Sequence, residues 1–223
     1  MSQIYLVRHG QASLGKANYD QLSPLGEAQA TKLGEHLAQL DAPPSIIITG
    51  SMARHQQTAQ GVLAAFGDLP VRQVVDPNWN EFDFEALIRE YLSTLASDEP
   101  KPTKPAEFFS ALRRALQAWS EGRLGDNLPE TWPQFEQRIQ TALQELMALQ
   151  TERVFVFSSG GAISMAMKHI MRLDAHMMID LNLQTRNTGV TELFAKNGQC
   201  YVSSINHIAH LLTPEHKAMI TYA

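Results

Sequence analysis

Four short stretches of this chain carry residue types that can do phosphoryl chemistry. The first is Arg8-His9-Gly10, directly after the apolar run Ile4-Tyr5-Leu6-Val7. An imidazole can attack phosphorus and form a covalent intermediate. A neighbouring guanidinium offers phosphate oxygens a planar fork of donors. The second stretch is Thr49-Gly50-Ser51 with Arg54 after it, and the third is Phe157-Ser158-Ser159-Gly160-Gly161. All three share one grammar: an apolar run, a tight polar or glycine turn, then a charged or polar group. The fourth is Glu81, within Asn78-Trp79-Asn80-Glu81-Phe82-Asp83. A carboxyl between aromatics loses water and its pKa rises, which suits a proton donor to a leaving alkoxide. The same carboxyl also suits a helix cap or a surface ion pair.

The elements that must position these groups follow from patterning. Short apolar runs at 3–7, 45–49 and 153–157 read as buried strands, with a shorter strand near 71–75. Ser23-Pro24 starts a helix as N-cap and first-turn proline, with Leu25, Ala28, Leu33, Leu37 and Leu40 on its apolar face. A second helix runs from Ser51 to about Phe66, with Gly67 as its C-cap. The stretch from Phe84 to Gln150 reads as mainly helical, with a proline-rich connector at 98–105 and a buried stripe of Phe135, Ile139, Leu143 and Leu146. Another helix follows Gly161 to about Arg172. Segments 189–196 and 200–205 form a hairpin turning at Asn197-Gly198, which can supply a reversed edge strand. Strands alternating with helices predict an α/β three-layer sandwich, a mostly parallel sheet flanked by helices. Ligands in such sheets bind outside the carboxyl ends of the strands, so the three turns can surround one pocket. Neither the 51–66 helix nor the 158–173 segment contains Asp or Glu, which leaves both N-termini open to an external anion, with Gly160 among the amides at the second.

Composition bounds the partners. The 223 residues suffice for one large α/β domain or two small ones. The formal net charge of −5 argues against nucleic acid or an anionic membrane as the main partner, so an anionic substrate needs a local positive pocket. The single cysteine, Cys200, makes no internal disulfide and fits a reducing cytoplasm. No signal peptide and no membrane-length apolar run is visible. His207 and His210 lie three apart, but no further metal ligands stand near them in the sequence.

Taken together, these residues resemble the histidine phosphatase superfamily, the phosphoglycerate-mutase-like fold. Leu6-Val7-Arg8-His9-Gly10 looks like its signature tripeptide on the first strand. Leu22-Ser23-Pro24-Leu25-Gly26-Glu27-Ala28-Gln29-Ala30 and Ser51-Met52-Ala53-Arg54-His55-Gln56-Gln57-Thr58-Ala59 resemble its two helix starts. Asn80-Glu81-Phe82-Asp83 resembles the acid-bearing loop, and Ile205-Asn206 with His210-Leu211 the C-terminal pattern. The resemblance implies one domain over 1–223 with a helical cap insertion at about 84–150. It implies His9 as the nucleophile, Arg8 and Arg54 on the phosphoryl oxygens and Glu81 as proton donor. No metal and no cofactor is implied, since arginines supply the positive charge.

Two departures stand out. The family's later turn usually reads Ser-His-Gly-Gly, and here the histidine is Ser159. Ser159 can still donate one neutral hydrogen bond to a bound phosphate but carries no charge, and losing one preorganised donor typically costs about 2.7–4 kcal/mol of transition-state stabilisation. His55 or His207 can compensate from another direction. The asparagine that some mutases carry six positions past the nucleophile is Gly15 here, and Ser13 or Asn18 can take its place. The expectation is a cytoplasmic, metal-independent phosphomonoester phosphatase acting on a small phosphorylated molecule, with a homodimer allowed. Two alternatives stay open: a phosphate-ligand-binding member with little turnover, and a phosphoglycerate-type mutase.

Overall fold

The fold follows from strands whose two faces are both apolar. In the computed structural model, β1 (Ser2–Arg8) sends Ile4 and Leu6 to one face of the sheet and Tyr5 and Val7 to the other. β4 (Arg153–Ser158) does the same with Val154 and Val156 against Phe155 and Phe157. All residues are described except 14–18, 41–42, 69, 97–101, 126, 150 and 223.

Six strands form one sheet in the order β3-β2-β4-β1-β5-β6, where β2 is Ile46–Thr49, β3 Arg72–Val75, β5 Val190–Lys196 and β6 Gln199–His207. β1 to β4 are mutually parallel, with Val7 opposite Phe157 and Thr49 opposite the same residue. Three carboxyl ends, at Arg8, Thr49 and Ser158, therefore lie side by side. β5 runs antiparallel to β1 and to β6. The reversed strand is thus inside the sheet and the edge strand β6 is not reversed, because β5 pairs with β1 before the hairpin turns. That turn is Asn197-Gly198, both at positive φ (52° and 73°), as a tight hairpin requires.

Helices cover both faces. α1 (Pro24–Leu40) and α2 (Ala53–Leu63) pair on the Tyr5–Val7 side, where Leu33, Leu37 and Val62 join Ile47, Phe155 and Phe157. The buried face of α1 is Gly26, Gln29, Ala30, Leu33, Gly34 and Leu37, while Leu40 is 65% exposed. The expected stripe is rotated because Gly26 and Gly34 are the contact points. A Cβ on Gly34 would lie 2.5 Å from the Val62 carbonyl oxygen, so only glycine lets α2 approach this closely. α2 ends earlier than expected, in a 3-10 turn over Ala64–Phe66 with Gly67 at φ 74°.

On the other face, α3 (Phe84–Ser93), α4 (Pro105–Ser120), α5 (Trp132–Ala148) and α6 (Gly160–Met171) share a core with Ile4, Leu6 and Val156. The α5 stripe Phe135, Ile139, Leu143 and Leu146 is buried as expected. Trp119 and Phe135 stack at 5.6 Å, with Trp132 edge-on to Trp119 at 5.2 Å. A further helix, α7 (Ala175–Gln184), packs against α4 and α6 and had no clear signal in the sequence. Its start is capped by the Asp174 carboxylate accepting from Met177 N–H.

Candidate active site

His9 sits just past the end of β1, 5% exposed. Its amide donates to the Ser158 carbonyl at 2.9 Å, and its own carbonyl accepts from Asn187 Nδ2 at 3.1 Å. Nδ1 lies 2.6 Å from the Gly10 carbonyl, so this nitrogen carries the proton. Nε2 then presents a lone pair, to which Arg54 Nε donates at 3.2 Å. Burial above all, then Arg54, Arg8 and His55, holds the imidazole well below its ordinary pKa of 6.5. The ring is neutral and its unprotonated nitrogen is Nε2.

Arg54 is buried in the first turn of α2. One of its terminal nitrogens pairs with Asp20 at 2.7 Å, and Asp20's other oxygen accepts from Ala53 N–H at 2.8 Å. Arg8 spends one terminal nitrogen on the Thr185 and Tyr222 carbonyls, at 2.6 and 2.8 Å. Its Nε is buried with no hydrogen-bond partner among the described residues. Burial lowers Arg8 to about 10, with Glu81 working in the opposite direction, so it is charged at neutral pH.

Glu81 reaches the N-terminus of α6. One carboxylate oxygen accepts from Gly161 N–H at 2.9 Å and the other from Phe82 N–H at 3.2 Å. Burial raises its pKa above the ordinary 4.5, against the pull of the Gly161 amide and the two arginines. Glycine at 161 lets the carboxylate come this close: a Cβ there would stand 2.2 Å from Glu81 Oε1 and 2.6 Å from Phe82 Cε1. The acid loop is tied down at both sides. Ser158 Oγ donates to the Trp79 carbonyl at 2.6 Å, and Arg138 of α5 donates to the Asn78 and Asn80 carbonyls at 2.8 and 2.7 Å.

The helix N-termini are therefore not empty, as the absence of local acids had suggested. Asp20 occupies the start of α2 and Glu81 the start of α6, each brought from a distant segment. Gly160 lies beside Arg8, since a Cβ on it would come 3.5 Å from Arg8 Nε. Ser159 and His55 are fully enclosed and bonded to each other at 2.7 Å, with the His55 ring centroid 5.7 Å from that of His9.

Ser13 makes its hydrogen bonds within its own loop. Its hydroxyl donates to the Leu22 carbonyl at 3.0 Å and its amide to Gln21, closing the loop bridge between Ala12 and Leu22. Asn18 falls outside the described residues. His207 ends β6, and its charged neighbours are Glu192 and His36 rather than His9 or the arginines. His210 bonds Thr188 Oγ1 at 2.8 Å, and the Thr188 amide donates to the Arg8 and His9 carbonyls. Among the described residues no group of three or more His, Cys, Asp or Glu could hold a metal ion.

Several supporting groups went unread in the sequence. Thr58 Oγ1 accepts from Gly10 N–H at 3.0 Å, Gln57 accepts from Leu22 N–H, and Gln29 accepts from Gln11 N–H. Their Gln-Thr-Ala and Gln-Ala spacings gave a signal. Asp20, Asn187 and Thr188 gave none, because they meet the site only through tertiary contact.

Comparison with known proteins places nearly the whole chain. The chain matches the histidine phosphatase superfamily (branch 1) over residues 4–208. It is 28% identical over 202 residues to an Enterobacter protein named "Probable phosphoglycerate mutase GpmB", covering 86% of this chain and 85% of that one. It is 26% identical to a 2,3-bisphosphoglycerate-dependent phosphoglycerate mutase of Mesorhizobium japonicum, over 90% of this chain and 95% of the relative. Among solved structures, a phosphoserine phosphatase of Entamoeba histolytica shares the fold with a TM-score of 0.66 at 21% identity, covering 95% of this chain and all (100%) of that one. The alpha-ribazole phosphatase of Shigella flexneri does so at 0.65 and 20%, covering 93% and 97%. With the signature strand, both arginines and the acid loop meeting at one sheet end, the chain belongs to the histidine phosphatase superfamily.

Proposed function

We propose that this protein is a metal-independent phosphomonoester phosphatase working through a phosphohistidine on His9. The observation that carries this reading is the defined lone pair on His9 Nε2, held by Arg54 Nε at 3.2 Å, beside a buried and unpartnered Arg8 Nε. An incoming phosphoryl group would take its oxygens to Arg8 and Arg54, with the Gly160 amide adding a dipole. His9 Nε2 attacks phosphorus, the P–O bond to the leaving group breaks, and protonated Glu81 gives its proton to the departing oxygen. Glu81, now a carboxylate, takes a proton from water as that water attacks phosphorus. The P–N bond breaks and phosphate leaves. The raised pKa of Glu81 supports the first half of the cycle and its return to carboxylate the second.

Substrate selection falls to the insertion at 84–150. Of the aromatics that could face a leaving group, Trp79, Phe82 and Trp132 are buried in the core. Phe84 instead lines an open groove of about 540 Å³ with Ile88, Arg89, Leu92 and Phe108. Phe84 also meets Tyr19 at 5.5 Å, and Tyr19 lies under Arg54 at 5.5 Å. That contact chain supports a small phosphorylated molecule with a partly apolar leaving group. The mutase names of the sequence relatives favour a second reading, in which the phosphoryl group passes to another hydroxyl.

Hydrolysis of p-nitrophenyl phosphate by wild type and His9→Ala, over about pH 4 to 8, separates these readings. The expected result is release of inorganic phosphate by wild type and its loss in the variant. Equal rates in the two proteins defeat the hydrolase reading. Retention of label on a hydroxylated acceptor, with no phosphate released, favours the mutase.

A further inference from the structure

His55 is wholly buried, its pKa lies well below the ordinary 6.5, and the reaction outlined above gives it no part. It stands next to Arg54 on α2, and its Nε2 is 2.7 Å from Ser159 Oγ. Ser159 occupies the N-cap of α6 without capping it. A serine there normally accepts from an amide of the first turn. Here the hydroxyl is turned to His55 instead. Gly50, at the end of β2, makes room for the ring, since a Cβ on it would lie 2.2 Å from His55 Nδ1. This pair rests between the reacting groups. The residue before Ser159 accepts from the His9 amide, and the residue two beyond it holds Glu81.

The tautomer follows from what each ring nitrogen meets. His55 Nδ1 is buried with no partner among the described residues. An orphaned N–H there is rarer and costlier than an orphaned lone pair. The proton therefore sits on Nε2 and is donated to Ser159 Oγ. The Ser159 hydroxyl hydrogen is then free to turn toward a bound oxyanion. The same tautomer separates the pair from a serine nucleophile, which needs a lone pair on the imidazole nitrogen facing it.

We propose that His55 is a positioning residue: it fixes the Ser159 hydroxyl as a donor to the phosphoryl group transferred to His9. This rests on the phosphatase reading for its kinetics, though not for its binding test. The pair acts as a fixed neutral donor and not as a titrating group, because burial and Arg54 both keep the imidazole uncharged. Its contribution belongs to the transition state more than to the ground state.

The experiment is a double-mutant cycle of His55→Ala and Ser159→Ala, with His55→Gln as the conservative variant, whose amide can still donate to Ser159. Steady-state kinetics with p-nitrophenyl phosphate are read beside orthovanadate affinity by titration calorimetry. Each single change is expected to lower kcat by about 10- to 100-fold with KM within about threefold, and the double to do no worse than the poorer single. His55→Gln should recover most of the loss. Vanadate affinity should fall in the same order. A His55→Ala protein within threefold of wild type in both kcat and vanadate affinity overturns the proposal, as do single losses that multiply in the double. If His55→Ala does not fold, Ser159→Ala and His55→Gln carry the test, and a wild-type-like Ser159→Ala overturns it. A wild type without turnover defeats the phosphatase reading alone. The vanadate series then decides: ordered weakening supports the pairing and unchanged affinity refutes it.

Discussion

Gly161→Ala should disable the proton donor without touching it. A methyl placed there would stand 2.2 Å from Glu81 Oε1, where ordinary contact begins at 3.4 Å. The Phe82 ring, whose Cε1 would stand 2.6 Å away, is buried in the core, and the Glu81 carboxyl is the freer group to give, by more than about 1 Å. That displacement breaks the 2.9 Å bond from Gly161 N–H and takes the acid away from the leaving oxygen. Misplacement on this scale costs about 100-fold in rate, and loss of general acid catalysis about 100- to 10,000-fold. The strain itself costs about 1–3 kcal/mol of stability. The signature lies in leaving-group dependence. An alkyl phosphate, whose alkoxide must be protonated, should lose about 100-fold in kcat/KM, while p-nitrophenyl phosphate, a good leaving group, should lose far less. Glu81→Gln should show the same pattern, and the double variant should be little worse than either single. A Gly161→Ala enzyme within threefold of wild type on the alkyl phosphate would refute the reasoning, as would losses that multiply.

Three further outcomes are expected. Phosphatase activity should peak in acid: it rises as His9 loses its proton, well below pH 6.5, and falls as Glu81 ionises above 4.5, so Glu81→Gln should flatten the alkaline limb of kcat/KM. Asp20→Asn keeps an acceptor for Ala53 N–H but removes the charge competing for Arg54, so phosphate should bind several-fold more tightly. Calorimetric titration with inorganic phosphate checks this, and equal or weaker binding contradicts it. Stability should fall in mild acid. His9, His55 and His210 (the last at about 3) are held neutral in the folded state. Below 6.5 the unfolded chain takes up protons that the folded one refuses, at about 1.4 kcal/mol per pH unit and group. The raised pKa of Glu81 acts with the opposite sign. His36, His169 and His207 are lowered too and add in the same direction, so urea unfolding should show lower stability at about pH 5.5 than at about pH 7, and coincident curves would overturn the assignment of neutral rings.

Much of the fold was legible because it depends on local pattern. β1, β2 and β4 are short apolar runs ended by polar or glycine turns, and the Phe135–Leu146 stripe has a clean helical period. That Arg8, His9, Arg54 and Glu81 come together at one sheet end was readable for a related reason: each lies in or just past a turn that ends a strand or starts a helix. The misreadings all involve tertiary partners. The buried face of α1 was displaced by glycine contacts with another helix, which hydrophobic spacing alone cannot reveal. The helix N-termini read as vacant because Asp20 and Glu81 lie 33 and 80 residues away from the amides they meet. Ser13 read as a ligand donor although its hydroxyl is consumed by a carbonyl across its own loop.

Arg138 has a consequence for how such a protein can change its substrate. It leaves α5, pairs with Glu130, and grips the two carbonyls that flank Trp79. One arm of the 84–150 segment is thereby tied to the loop that carries Glu81, so on the proposed function redesign of α5 is expected to disturb turnover as well as selectivity. The groove between α3 and α4 touches the arginines only through Phe84 and Tyr19, so its other lining residues, Leu92 and Phe108, are the freer ground for drift toward new leaving groups.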